Sequence, residues 1–222
     1  NELTDSIPAS LGNLSNLVEI NFGRNKLSGP IPAELGDLKN LSSLNLSGNQ
    51  LSGEIPQELS TLSNLNHLLL NYNQLTGTIP PELGNLQEVK VLNLSNNNLS
   101  GAVPDNLNNL ANCYDLSLKN NSLDSIPALT GMPLSKLQVQ KNLFDFQDLV
   151  NTGYVEGDSI DFIYAPQGQI PVMVDTLDTT IALTVTEQTP NATYQWFKNS
   201  RAMSGETDSK LSYPLNDTSA FY

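Results

Sequence analysis

The 222-residue sequence holds one cysteine, one histidine and one tryptophan, and only 10 Lys and Arg against 23 Asp and Glu. Each shortage excludes something. A lone cysteine forms no internal disulfide and no Cys-x-x-Cys site. One His gives no pair for zinc, and His67 with Cys113 makes no catalytic triad, since one is read as facing solvent and the other the core. A formal charge of −13 leaves no basic stripe for nucleic-acid phosphates and disfavours an anionic membrane surface. No apolar run reaches the ~18 residues that a membrane-spanning helix needs.

What is present is a repeated phrase. "FGRNKLSGPIPAEL" (22–35) returns as "LSGNQLSGEIPQEL" (46–59) and "LNYNQLTGTIPPEL" (70–83). Asn1, Asn25, Asn49, Asn73, Asn97 and Asn121 are each 24 residues apart, and a last interval of 21 leads to Asn142. Six segments follow L-x-x-L-x-L-x-x-N, from Leu17-Ile20-Phe22-Asn25 to Leu134-Leu137-Val139-Asn142. This spacing and pattern are the signature of a leucine-rich repeat.

The period dictates a physical solution. One unit cannot bury its own apolar face, but stacked units bury a continuous column of leucine. The alternating L-x-L turns two leucines inward from a short strand and the residue between them outward. The asparagine after each strand enters a turn, where its amide bonds backbone groups that the sheet leaves unpaired. Asn25, Asn49, Asn73, Asn97, Asn121 and Asn142 are therefore expected to form an internal structural ladder. The prolines at 8, 32, 56, 80, 104 and 127 forbid a regular helix at those points. Leu11, Leu35, Leu59, Leu83 and Leu107 then return to the core through a short helical turn. The glycines belong to the repeated turns, so no phosphate-binding loop is read from them.

The consensus "LxGxIPxxLgxLxxLxxLxLxxN" resembles the plant-type leucine-rich repeat of receptor-kinase ectodomains and polygalacturonase-inhibiting proteins. The resemblance covers residues 1–142. It implies an α/β solenoid: a right-handed superhelix with a parallel concave sheet. The single cysteine departs from the plant pattern, in which disulfide pairs cap the solenoid. Residues 143–169 read as a C-terminal cap and linker, with Phe144, Phe146, Leu149 and Val150 placed to cover the end of the stack. This stretch resembles the ends of repeat arrays in bacterial surface proteins, which implies a bacterial source. Its acids, Asp145, Asp148, Glu156, Asp158 and Asp161, are either a calcium site or a solvated acidic surface. From about Ile170 the texture is all-β: "PVMVD" (171–175) and "TTIALTVTEQ" (179–188) alternate as half-buried strands do. "YQWFKN" (194–199) is similar to strand C of an immunoglobulin-like domain, and Asp217 with Phe221 or Tyr222 to its tyrosine corner. No B–F cysteine pair exists, and Val185 would stand at the strand B position. The expectation is a truncated immunoglobulin-like β domain over residues 170–222. The opening "NELTDSIP" lies inside a repeat, which implies a piece of a longer solenoid.

Function is then read from the outward strand positions. Most are small and polar. The third strand carries His67, Leu69, Asn71 and Tyr72, and the fourth adds Val91 and Asn93. Aromatic and apolar groups at the centre of a surface are the usual energetic core of an interface. These six are the candidate binding residues. No catalytic constellation, metal site or cofactor motif is read. Eight Asn-x-Ser/Thr sequons occur, most of them by-products of the repeat phrase. Cys113 reads as a small buried apolar residue. The expectation is a non-enzymatic, extracellular or cell-surface recognition module, serving adhesion or host interaction, whose partner is a protein, peptide or oligosaccharide. A structural stalk and an inhibitor of a secreted enzyme are the alternatives.

Overall fold

The computed structural model describes residues 1–144, 148 and 152, together with the backbone of strands Asp161–Ile163, Val172–Leu177, Thr180–Val185, Phe197–Lys198, Arg201–Ala202 and Lys210–Pro214. It divides into two units, residues 1–144 with 148–167, and residues 145–147 with 168–222.

The first unit is a solenoid. Each L-x-L segment forms a three-residue strand: Glu19–Asn21, Ser43–Asn45, His67–Leu69, Val91–Asn93, Asp115–Ser117 and Lys136–Gln138, joined by a seventh, Asp161–Ile163. The seven pair in parallel, in chain order, as one sheet. Register is kept throughout: Glu19, Ser43, His67, Val91, Asp115, Lys136 and Asp161 stand side by side. The middle residue of each of the first six strands points inward. Ile20 is 3% exposed, and Leu44, Leu68, Leu92, Leu116 and Leu137 are fully buried. The "LSGxIP" segments form a second layer of short parallel strands, three of them at Ser28–Gly29, Gln50–Gly53 and Gln74–Leu75.

Five-residue 3-10 helices close the repeats at Ala9–Asn13, Ala33–Asp37, Gln57–Thr61, Pro81–Asn85 and Asp105–Asn109. A proline precedes each one in an extended conformation. The described solenoid is thus built of strand and 3-10 turn, and the α part of the expected α/β class is reduced to single tight turns. A 24-residue period with a proline in its middle leaves room for no more. Small residues let these turns stack closely: a Cβ on Gly36 would meet the carbonyl oxygen of Glu58. The last repeat has a shorter turn in place of the 3-10 helix, which accounts for the shorter interval to Asn142; there Gly131 N donates to Asn108 Oδ1 (2.7 Å).

Phe144 is fully buried at the C-terminal end of the column, while Leu143 is exposed. Phe146, Leu149 and Val150 lie outside the described residues.

In the second unit, Val172–Leu177 runs antiparallel to Thr180–Val185, which runs antiparallel to Lys210–Pro214. Phe197–Lys198 forms a separate antiparallel pair with Arg201–Ala202. The alternating segments expected as strands are therefore strands. Trp196, Asp217, Phe221 and Tyr222, on which the immunoglobulin-like reading rests, lie outside the described residues.

Candidate functional site: the concave sheet

The asparagines at the ends of the strands tie the repeats together. Asn49 Nδ2 donates to Leu46 O and Phe22 O (both 3.0 Å), while its Oδ1 accepts from Leu27 N (3.0 Å). One side chain thus bridges its own repeat and the one before. Asn73, Asn97, Asn121 and Asn142 repeat the arrangement, and Asn25 bonds Phe22 O and Leu3 N. These bonds hold the turn that follows each strand, and so fix where the concave side chains stand.

A second set of asparagines, on the opposite side, escapes the sequence reading. Asn40 donates to Ser15 O, Asn64 to Lys39 O and Asn112 to Gln87 O, at 2.8–2.9 Å. Its signal is a 24-residue recurrence, but Glu88 interrupts it.

The concave surface is self-satisfied over much of its width. Asn45 Oδ1 accepts from Ser47 N (3.0 Å) and Ser47 Oγ (2.6 Å), and Asn93 Oδ1 does the same with Ser95 (3.1 and 2.6 Å). Asn93 therefore presents little free hydrogen-bonding capacity through its oxygen. Leu69 takes the place of this asparagine on the strand between them, and replaces a closed polar turn by an apolar side chain.

The structure brings the six sequence-selected residues onto one patch. His67 pairs in register with Val91, and Leu69 with Asn93. Asn71 and Tyr72 follow on the turn, where Tyr72 N donates to Ser95 O (3.0 Å). His67, Leu69, Asn71, Val91 and Asn93 are half-buried; Tyr72 is 59% exposed. Tyr72 also has a left-handed backbone, at φ +57°. That feature belongs to a row: Arg24, Gly48, Asn96, Asn120 and Lys141 share it, at φ between 55° and 66°. Gly and Asn accept this conformation readily, whereas a bulky aromatic is strained there. Sequence reasoning misses the strain, because nothing in tyrosine signals a left-handed turn.

Cys113 is fully buried, and burial pushes its thiol up to about 12; the thiol donates to the Asp115 carbonyl oxygen (3.6 Å). His67 lies on the concave face and the thiol in the core, so the two do not meet. Among the described residues, no group of three or more His, Cys, Asp or Glu gathers to hold a metal ion. Asp145, Glu156 and Asp158 lie outside the described residues. No described helix is long and apolar enough to cross a membrane.

Comparison with known proteins identifies the repeats. Residues 1–51 match the family described as "Leucine rich repeat", and residues 64–86 and 88–110 match a second family of the same description. No match to a curated protein was found at a significant level. Among solved structures, the ectodomain of the plant membrane receptor kinase GASSHO1/SCHENGEN3 from Arabidopsis thaliana, in complex with CASPARIAN STRIP INTEGRITY FACTOR 2, is 41% identical over 65% of this chain, with a TM-score of 0.64. The Arabidopsis receptor kinase HAESA ectodomain, in complex with a peptide hormone ligand, is 33% identical over 74% of this chain, with a TM-score of 0.66. A plant ice-binding protein is 34% identical over 64% of this chain, with a TM-score of 0.61. The chain spans 18%, 28% and 46% of these three proteins, respectively. The repeats of this chain are leucine-rich repeats.

Proposed function

We propose that the solenoid is a non-enzymatic, extracellular recognition module that binds a peptide or protein segment across its concave sheet. The observation that carries this reading is the patch of Leu69, Tyr72, Val91 and His67 on a face whose other outward positions are glycine, polar or charged. Leu69 interrupts a row of closed Asn–Ser turns, and Tyr72 stands exposed at a strained position. Strain that persists at an exposed aromatic fits a residue kept for contact rather than for packing. Two solved relatives, the GASSHO1/SCHENGEN3 and HAESA ectodomains, were crystallised with CASPARIAN STRIP INTEGRITY FACTOR 2 and with a peptide hormone, respectively, which supports a peptide or protein partner and a site outside the cell.

Size fits as well. The six strands of the repeats, spaced ~4.8 Å apart, span ~24 Å, the length of an extended peptide of about 7 residues. The test is a binding screen of the chain against arrayed peptides, extracellular-matrix proteins and oligosaccharides, with a Leu69→Asp/Tyr72→Ala variant alongside. A peptide or protein hit lost in the variant supports the reading. Silence throughout shifts the account to a structural stalk.

A further inference from the structure

The charge of residues 1–144 is sorted by face. This stretch holds twelve carboxylates and seven Lys or Arg. Only two of the carboxylates, Glu19 and Asp115, occupy outward positions of the concave strands and their turns, against four of the cations: Arg24, Lys119, Lys136 and Lys141. Within residues 1–144 the concave positions thus carry a net positive charge, although the whole chain has a net charge of −13.

The sorting continues within the face. Lys136 is matched: its Nζ lies 3.5 Å from Asp115 Oδ2, and Asp161 stands in register with it on the next strand. Lys119 and Lys141 are not matched. They sit on successive turns, joined by Asn120 N to Gln140 O (2.9 Å) and Asn121 N to Lys141 O (3.1 Å). Neither ammonium group has an ion pair or hydrogen bond among the described residues. None of the twelve positions in the two turn rows that hold them is a carboxylate, while Tyr72 lies in the same rows. From the turn of Tyr72 to those of Lys119 and Lys141 is two and three strand spacings, ~10 and ~14 Å, which an extended chain covers in three to four residues.

We propose that the ligand of this face is an extended acidic peptide. One of its apolar side chains seats on Leu69, Tyr72 and Val91, and a carboxylate three or four residues away is held between Lys119 and Lys141. This rests on the reading of the concave sheet as a recognition surface. Leu69 and Val91 favour a peptide over an acidic oligosaccharide, which would press hydroxyl groups against them. The carboxylates on the remaining surface repel such a peptide and leave the concave face as its landing site.

The test is to pan a random heptapeptide display library over the full chain, over Lys119→Glu/Lys141→Glu and over Leu69→Asp/Tyr72→Ala. Melting of each variant checks its fold, with Lys119→Gln/Lys141→Gln in reserve. The expected result is enrichment of peptides with Asp or Glu three or four residues from an aliphatic or aromatic residue. The best of them, made synthetically, should bind the lysine variant at least tenfold more weakly, a gap that narrows as salt is raised. Enriched peptides without an acidic preference, weakened by the Leu69/Tyr72 changes and indifferent to the lysine changes, overturn the proposal and leave the recognition reading standing. No enrichment on the unaltered chain overturns both.

Discussion

Asn97 reaches back across a repeat to Leu70: its Nδ2 lies 3.1 Å from the Leu70 carbonyl oxygen, 27 residues earlier. The same amide bonds Leu94 O (3.0 Å) and accepts from Leu75 N (3.1 Å), and the side chain is buried. Asn97→Ala leaves these backbone groups without partners. Chemical unfolding should show a loss of ~1–3 kcal/mol. A loss below half of that would mean that water replaces the amide within the stack.

The outer row of asparagines has a gap. Asn64 and Asn112 each donate to a carbonyl 25 residues earlier, whereas Glu88, at the equivalent position between them, has no N–H in its side chain to give. Glu88→Asn supplies the donor and removes one charge from an acidic protein. The denaturation midpoint should rise by the equivalent of ~0.5–1.5 kcal/mol. An unchanged or lower midpoint contradicts the role assigned to this row.

Tyr72 is held at φ +57° with its ring exposed. Asn96 and Asn120 show that asparagine fits the same turn. Tyr72→Asn should therefore raise stability by ~0.5–1 kcal/mol while it weakens ligand binding, the opposed pair of effects found where function is kept at the expense of stability. A stability loss above ~1 kcal/mol would show instead that the ring packs as part of the fold.

Cys113 titrates far from its ordinary range, pushed up to about 12 by burial. Its native pKa is raised above the unfolded value of 9.0, so the native state keeps the proton after the unfolded chain has released it. The thiol's contribution is fully present below pH ~9 and is lost as pH rises toward ~12, at ~1.4 kcal/mol per unit. Cys113→Val removes that slope. Subtracting the variant's stability from that of the unaltered chain, at several pH values from 8 upward, should give a constant difference at first. Above the unfolded thiol's pKa the difference should move steadily in favour of the variant. A pH-independent difference contradicts the buried thiol.

The solenoid is legible in the sequence because its physics repeats. The leucine column, the asparagine period and the proline before each turn recur at fixed spacing, and each recurrence narrows the reading. The residues of the candidate patch are legible too, because Leu69 and Tyr72 break a polar row. Other features are not. The close stacking of the turns, as where Gly36 approaches Glu58, is a distance between repeats rather than a pattern within one. The outer asparagines escape because Glu88 breaks their 24-residue recurrence and only Asn40 begins a repeat-like "NLS" phrase. The pairing of Lys136 with Asp115, which leaves Lys119 and Lys141 unmatched among the described residues, emerges only when positions 21 to 24 apart are set side by side.

The central claim is that the concave sheet recognises its partner through Leu69 and Tyr72. The most direct measurement is a titration of the strongest array ligand against the chain and the Leu69→Asp/Tyr72→Ala variant, with melting curves to show that both are folded. The predicted result is at least a tenfold loss of affinity, ~1.4 kcal/mol or more, at unchanged fold. Affinities within about twofold of one another would contradict it and move the site to another surface.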